Sequence, residues 1–170
     1  MLEQLKHLDR EKLELMLVDF AKNWLAHDGL WFQVVEKHTD MQTAIALDTQ
    51  AWQKFTVIEA QRIMALHGIP EGNGLAALKK ALQFRLYAFL NKQEIRNETE
   101  SSFDFFMVDC RVQSARQRKQ LPLFPCKAVG IVEYTEFART IDPRIRTEVI
   151  CCPPDAEAGK EHYCGWRFSI

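Results

Sequence analysis

The hydrophobic period of this chain changes once, and that change limits what it can fold into. Up to about residue 91 the apolar side chains recur at helical spacing; beyond it a strand-like alternation sets in. Leu13, Met16, Leu17, Phe20 and Trp24 form one stripe after Asp9, a good N-cap. Gly29 predicts the end of that helix, and Trp31, Phe32, Val34 and Val35 predict one or two separate turns. Thr39 or Asp40 is expected to cap a second helix running to about His67, with Leu47, Ala51, Trp52, Phe55, Ile58, Ile63 and Leu66 on its buried side. The segment HGIPEGNG at 67–74 breaks the pattern. Leu75, Leu78, Leu82, Leu86 and Phe89 then mark a third helix ending near Asn91.

From Thr99 to Cys110 the period is two: Phe103, Phe105 and Met107 alternate with Asp104, Phe106 and Val108, as in a strand. ARQRKQLPLFP at 115–125 reads as a basic connection. Pro125 suits a helix start, and Cys126 to about Thr140 reads as a helix that Asp142-Pro143 ends. Strands are expected from Arg144 to Cys152 and from His162 to Ile170, separated by a loop. This order predicts an α+β fold, with N-terminal helices packed on a small antiparallel sheet of strand–helix–strand–strand order. Residues 1–170 read as one domain, with a helical part at 1–93 and a cysteine-bearing α+β part at 94–170.

The formal charge of −1 over 170 residues gives no general attraction to nucleic acid or to an anionic membrane. No apolar run approaches the ~20 residues of a membrane span. The start of the chain, MLEQLKHLDREKLELM, is charged throughout and does not resemble a secretory signal. A cytoplasmic protein is expected. Phosphate-binding glycine loops, GxSxG elbows, HExxH and calcium loops are absent from the sequence, which weighs against the commonest nucleotide, hydrolase, protease and calcium-binding classes.

All five cysteines, Cys110, Cys126, Cys151, Cys152 and Cys164, lie in the last third. An odd number without an export signal argues against a disulfide framework. On the expected elements, Cys110 ends a strand and Cys126 opens a helix, where the dipole favours a thiolate. Cys151 and Cys152 end the next strand and Cys164 lies on the last. A hairpin of the last two strands would bring Cys152 towards Cys164. Four thiolates, from Cys110, Cys126, Cys152 and Cys164, could surround a zinc ion, and the same set suits an iron–sulfur cluster less well supported by spacing. Glu148, four residues from Cys152 on one strand, and Cys151 are alternate ligands. Cys126 is also the best placed nucleophile.

Other residues are weighed against blander roles. Asp48, Glu59 and Arg62 fall on one side of the second helix and could face a ligand; Glu59 and Arg62 also read as an ordinary i, i+3 surface pair. Arg111, beside Cys110, could grip a carboxylate, while Arg116, Arg118 and Lys119 read as a solvated loop. Glu133, about two turns past Cys126, could line a pocket near the thiols. His27-Asp28 reads as a helix end, and His162 as a strand histidine that could reach the cysteines.

The run FPCKAVGIVEYTEFARTIDPRIRTEVICCPP…YCGWRFSI resembles the core of the 4-vinyl reductase (hydrocarbon-binding) domain. The matching positions are Cys126, Gly130, Phe137, Glu148, Cys151 or Cys152, Cys164 and Phe168. That resemblance implies a ligand-binding fold, zinc on the cysteines beside an apolar pocket, and a homodimer. HDGLWFQVVE, the IEAQRIM helix, DCRVQSAR and CCPPD resemble a group of prokaryotic cytosolic proteins. That group is similar in its C-terminal cysteines to L-2-amino-thiazoline-4-carboxylic acid hydrolase. Three functions are expected to compete. The first is a small-molecule-binding domain with a cysteine-built zinc site. The second is a cysteine- or metal-dependent hydrolase of a small C–N substrate, with Cys126, Glu133 and Arg111 as catalytic candidates. The third is a non-catalytic interaction module.

Overall fold

The computed structural model describes residues 2–155 and 157–170. Its helices are α1 (Arg10–His38), α2 (Met41–His67), α3 (Gly74–Leu82), α4 (Arg111–Arg118) and α5 (Lys127–Ile141), and its strands are β1 (Lys92–Arg96), β2 (Ser102–Asp109), β3 (Arg146–Cys151) and β4 (Cys164–Ser169). The strands form one antiparallel sheet in the order β1-β2-β4-β3. The fold is the α+β arrangement expected from the period change. Among the described residues no helix is long and apolar enough to cross a membrane.

Helix starts follow the capping chemistry of the sequence. Asp9 accepts a hydrogen bond from the Lys12 N–H and Asp40 one from the Thr43 N–H, each at 2.7 Å. Gly68, at φ +60°, ends α2 in the left-handed conformation that glycine adopts without strain.

Four elements differ from expectation. Gly29 does not end α1, which runs unbroken to His38. A glycine inside a helix costs only about 1 kcal/mol, and the turns beyond it have their own packing. Phe32 meets Phe124 with ring centroids 4.7 Å apart, and Glu36 pairs with Arg116 at 3.3 Å. The third helix stops at Leu82, because Arg85 takes an extended backbone (φ −67°, ψ 148°) that turns its side chain into the core. A short 3-10 turn, Leu86–Phe89, follows. The polar segment KQEIR is β1, an edge strand whose charged residues suit its exposed side. The basic run begins as α4 rather than as a loop, and its Arg116 is buried, donating to the Pro122 carbonyl at 2.8 Å as well as meeting Glu36.

The layers stack in one direction. The inner face of the sheet, with Phe103, Phe105, Met107, Trp166 and Phe168, packs on Tyr134, Phe137 and Ile141 of α5. Helix α2 packs on α5, where the Thr56 hydroxyl donates to the Glu133 carbonyl at 3.1 Å, and α1 packs on α2. Gly130 is required for the sheet–helix contact: a Cβ there would lie 2.7 Å from the Trp166 ring.

Candidate functional site

Helix α1 borders, with α2, α4 and α5, a partly open cavity of ≈ 440 Å³. That size falls within the ~300–1,000 Å³ typical of small-molecule sites. Its walls carry the aromatic rings of Phe32, Trp52, Tyr87, Phe124, Tyr134 and Trp166. One end is edged by Cys110, Cys126 and Cys164, and the other by Asp28, Asp48 and Glu133.

Four different elements deliver the thiols. Cys110 is the N-cap residue of α4, directly after β2, and Cys126 that of α5. Cys164 opens β4 and Cys152 follows β3. The Cys126 and Cys152 sulfurs lie 3.6 Å apart. Cys164 is also within hydrogen-bonding reach of Cys152, and Cys110 is near enough to Cys164 and Cys126 to feel their charge. Thiol contacts to Cys126 and Cys164, then burial, push the Cys152 thiol far up. Burial pushes Cys110 up to about 12. Among the described residues no three His, Cys, Asp or Glu side chains already stand as a metal-ligand group.

Local structure explains which member of the doublet joins the cluster. Val149 is opposite Trp166, but Cys151, two residues on, is opposite Gly165, only one residue back. This β-bulge adds one residue and shifts the phase of the strand. Cys151 therefore falls in the row of Gly165, on the outer face, and Cys152 turns inward, fully buried. Glu148 is exposed and opposite Arg167 on the outer face, so it does not share a face with Cys152. The four-residue spacing misleads here because the extra residue lies inside it.

Two clamps hold the Cys126–Cys152 contact. Gln113, buried on α4, donates to the Phe124 carbonyl and accepts from the Phe124 N–H, each at 2.9 Å, and its amide nitrogen is 3.6 Å from the Cys126 sulfur. Asp155 accepts from the Cys152 N–H at 3.1 Å and pairs with Lys127 at 2.9 Å. His162 is not in the cluster; its ring packs edge-on against Phe106 of the outer face at 4.5 Å.

The acidic end has a different construction. Glu59 does not pair with Arg62. It holds Arg85, which lies 2.8 Å from Glu59 and 2.7 Å from Glu133 and sits over the Phe137 ring at 4.6 Å. Arg62 is exposed, on a shallow groove between α1 and α2 and away from the cavity. Asp48 and Glu133 do line the cavity, together with Asp28, which read as part of a helix end in the sequence. Burial pushes Asp28 up to about 6, and burial, then the charges of Asp28 and Glu133, pushes Asp48 up to about 7. Burial also raises Glu133, against the pull of Arg85. Arg111 stands exposed at the rim. Arg85 was not legible as a site residue; the one hint is an arginine inside the apolar run LQFRLY. Gln113 and Asp155 left no such hint.

The exposed side of α1 and α2 carries Leu15, Leu17, Phe20, Trp31 and Leu66.

The model of a family of unknown function, DUF6125, matches residues 6–170, and the chain belongs to that family. No curated protein matches the chain.

Proposed function

We propose that this protein is a small-molecule-binding domain in which Cys110, Cys126, Cys152 and Cys164 hold a zinc ion beside the cavity. The convergence of four thiols from four separate segments carries the reading: Cys110, Cys126 and Cys164 line one end of the cavity, and buried Cys152 meets Cys126 and Cys164. The donor set fits the ion. Tetrahedral zinc–thiolate bonds of about 2.3 Å put neighbouring sulfurs about 3.8 Å apart, and Cys126 and Cys152 are 3.6 Å apart. On binding a divalent ion the four thiols would give up their protons to solvent, and the thiolates would hold the ion and stabilise the fold around it. The residues' own contribution is positional: Gln113 and Asp155 present Cys126 and Cys152 to each other, and the aromatic walls offer an apolar surface to a ligand.

A hydrolase acting on a small C–N substrate is the second reading. Cys126 favours it, being half-buried at the N-terminus of α5 with the Gln113 amide beside its sulfur. One experiment separates the two. Elemental analysis of untagged protein is combined with thiol counting in native buffer, before and after a chelator. The zinc reading expects about one zinc per chain and four thiols that label only after chelation, with metal lost in Cys152→Ala. No metal and one fast-labelling cysteine, lost in Cys126→Ser, would overturn it in favour of the hydrolase.

A further inference from the structure

We propose that the cavity takes a ligand with a protonated amine on an apolar body, the amine seated between Asp28 and Asp48 at the carboxyl end. This rests on the cavity being a ligand site and is independent of the metal.

Three helices contribute the acids, Asp28 from α1, Asp48 from α2 and Glu133 from α5, and all three line the same cavity. Buried carboxylates are ordinarily matched by a cation of the protein. Here the supply is short. Arg85 is the fully buried cation at this end, and both its close contacts are with Glu59 and Glu133. Among the described residues Asp28 and Asp48 make no ion pair; Asp48 has only the neutral Trp52 indole as a hydrogen-bond donor, and Asp28 has only the exposed His27 beside it. Glu133, whose side chain is 9% exposed, has to share Arg85 with Glu59. One buried guanidinium shared by Glu59 and Glu133, beside two acids with no ion pair, leaves this end of the cavity short of positive charge.

The walls suit the same ligand class. Trp52, one helical turn from Asp48, stacks on Tyr87 with centroids 5.9 Å apart and an interplanar angle of 20°. Aromatic faces attract cations within about 6 Å, and the protein already uses this pair so: the Arg85 guanidinium is 5.8 Å from the Tyr87 centroid and 6.0 Å from that of Trp52. The cations bordering the cavity do not answer the acids. Lys22, Arg111, Arg118 and Lys119 are exposed at the rim, and Arg116 is engaged by Glu36 and the Pro122 carbonyl.

Isothermal titration of the whole protein with three probes of one shape tests this: 2-phenylethylamine, 2-phenylethanol and 3-phenylpropanoate. The expected result is at least about tenfold tighter binding of the amine, the gain of a charge-assisted hydrogen bond. Asp48→Asn and Asp28→Asn, each checked for folding by circular dichroism, should abolish that preference and leave binding of the alcohol unchanged. Equal binding of amine and alcohol, or tighter binding of the carboxylate, overturns the cationic class while the ligand cavity stands. No binding of any probe overturns both.

Discussion

The two ends of the cavity are built by opposite means. At the thiol end, element ends and one side-chain clamp place the sulfurs: the end of β2, the Gln113 amide, the bulge in β3 and the first residue of β4. At the carboxyl end, Asp28, Asp48 and Glu133 sit inside long helices, and packing of α1, α2 and α5 alone brings them together. The thiols gain by neighbouring one another, since uncharged S–H groups pack as small hydrophobes. The carboxyls lose, since each raises the next. One end is settled within the chain, and the other stores an electrostatic cost that a binding partner could relieve.

Arg85 keeps that cost tolerable, so its removal should break the comparison most severely. Arg85→Met leaves Glu59 and Glu133 facing each other without a cation. A loss of about 3–5 kcal/mol is expected, read as a fall in the urea midpoint. Retention of full stability would mean that the two acids are already neutral. Gly130→Ala acts midway between the ends. The added methyl would meet the Trp166 ring at 2.7–2.8 Å, and overpacking of this kind costs about 1–3 kcal/mol. The thermal midpoint should drop and Trp166 fluorescence should shift.

The carboxyl end should set the response between weak acid and neutrality. Asp28 and Asp48 have folded values above their ordinary ones. The folded state therefore binds the extra protons, and the stability they contribute, fully present below the ordinary carboxyl range, is lost as pH rises to about 6 at Asp28 and about 7 at Asp48. Asp48→Asn should flatten this fall and raise stability at pH 8 by about 1–2 kcal/mol, allowing for solvent screening. Denaturation curves at pH 5.5 and 8 check it; an unchanged slope would show that Asp48 keeps an ordinary affinity for protons. Asp142 behaves in the opposite sense. Its hydrogen bonds from Arg144 and the Gly74 N–H hold it low, so its contribution is lost only in strong acid.

The smallest effect should fall on the thiol end. Asp155→Ala removes the acceptor of the Cys152 N–H and the partner of Lys127, a loss of about 1 kcal/mol. The sharper readout is local: Cys152 should label severalfold faster while Cys110 is unchanged. Equal rates at both would show that the loop is held by something other than Asp155.

Much of the fold was legible because helix and strand periods are local. Asp9 and Asp40 cap where their side chains suggest, and β2 runs where Phe103, Phe105 and Met107 alternate. The thiol end was legible for the same reason: Cys110 and Cys126 fall at element ends, and the β3–β4 pairing carries Cys152 towards Cys164. Misreadings arose where tertiary packing outweighed a weak local signal. Gly29 is a mild helix breaker, overruled by the contacts of Phe32 and Glu36 across the cavity. Glu59 has Arg62 three residues away, yet a buried arginine offers it a stronger partner.

The sequence by itself determined that helices precede a small sheet, and that five thiols crowd the sheet part. Only the tertiary structure decided which thiol of the doublet faces inward. A single extra residue in β3 inverts the phase of everything after it, and strand pairing rather than residue type sets where that residue goes. Only the tertiary structure, likewise, brought Asp28, Asp48 and Glu133 to one cavity, with buried Arg85 between Glu133 and Glu59. The charge balance of a cavity depends on distances between helices far apart in the chain, and no local pattern encodes those distances.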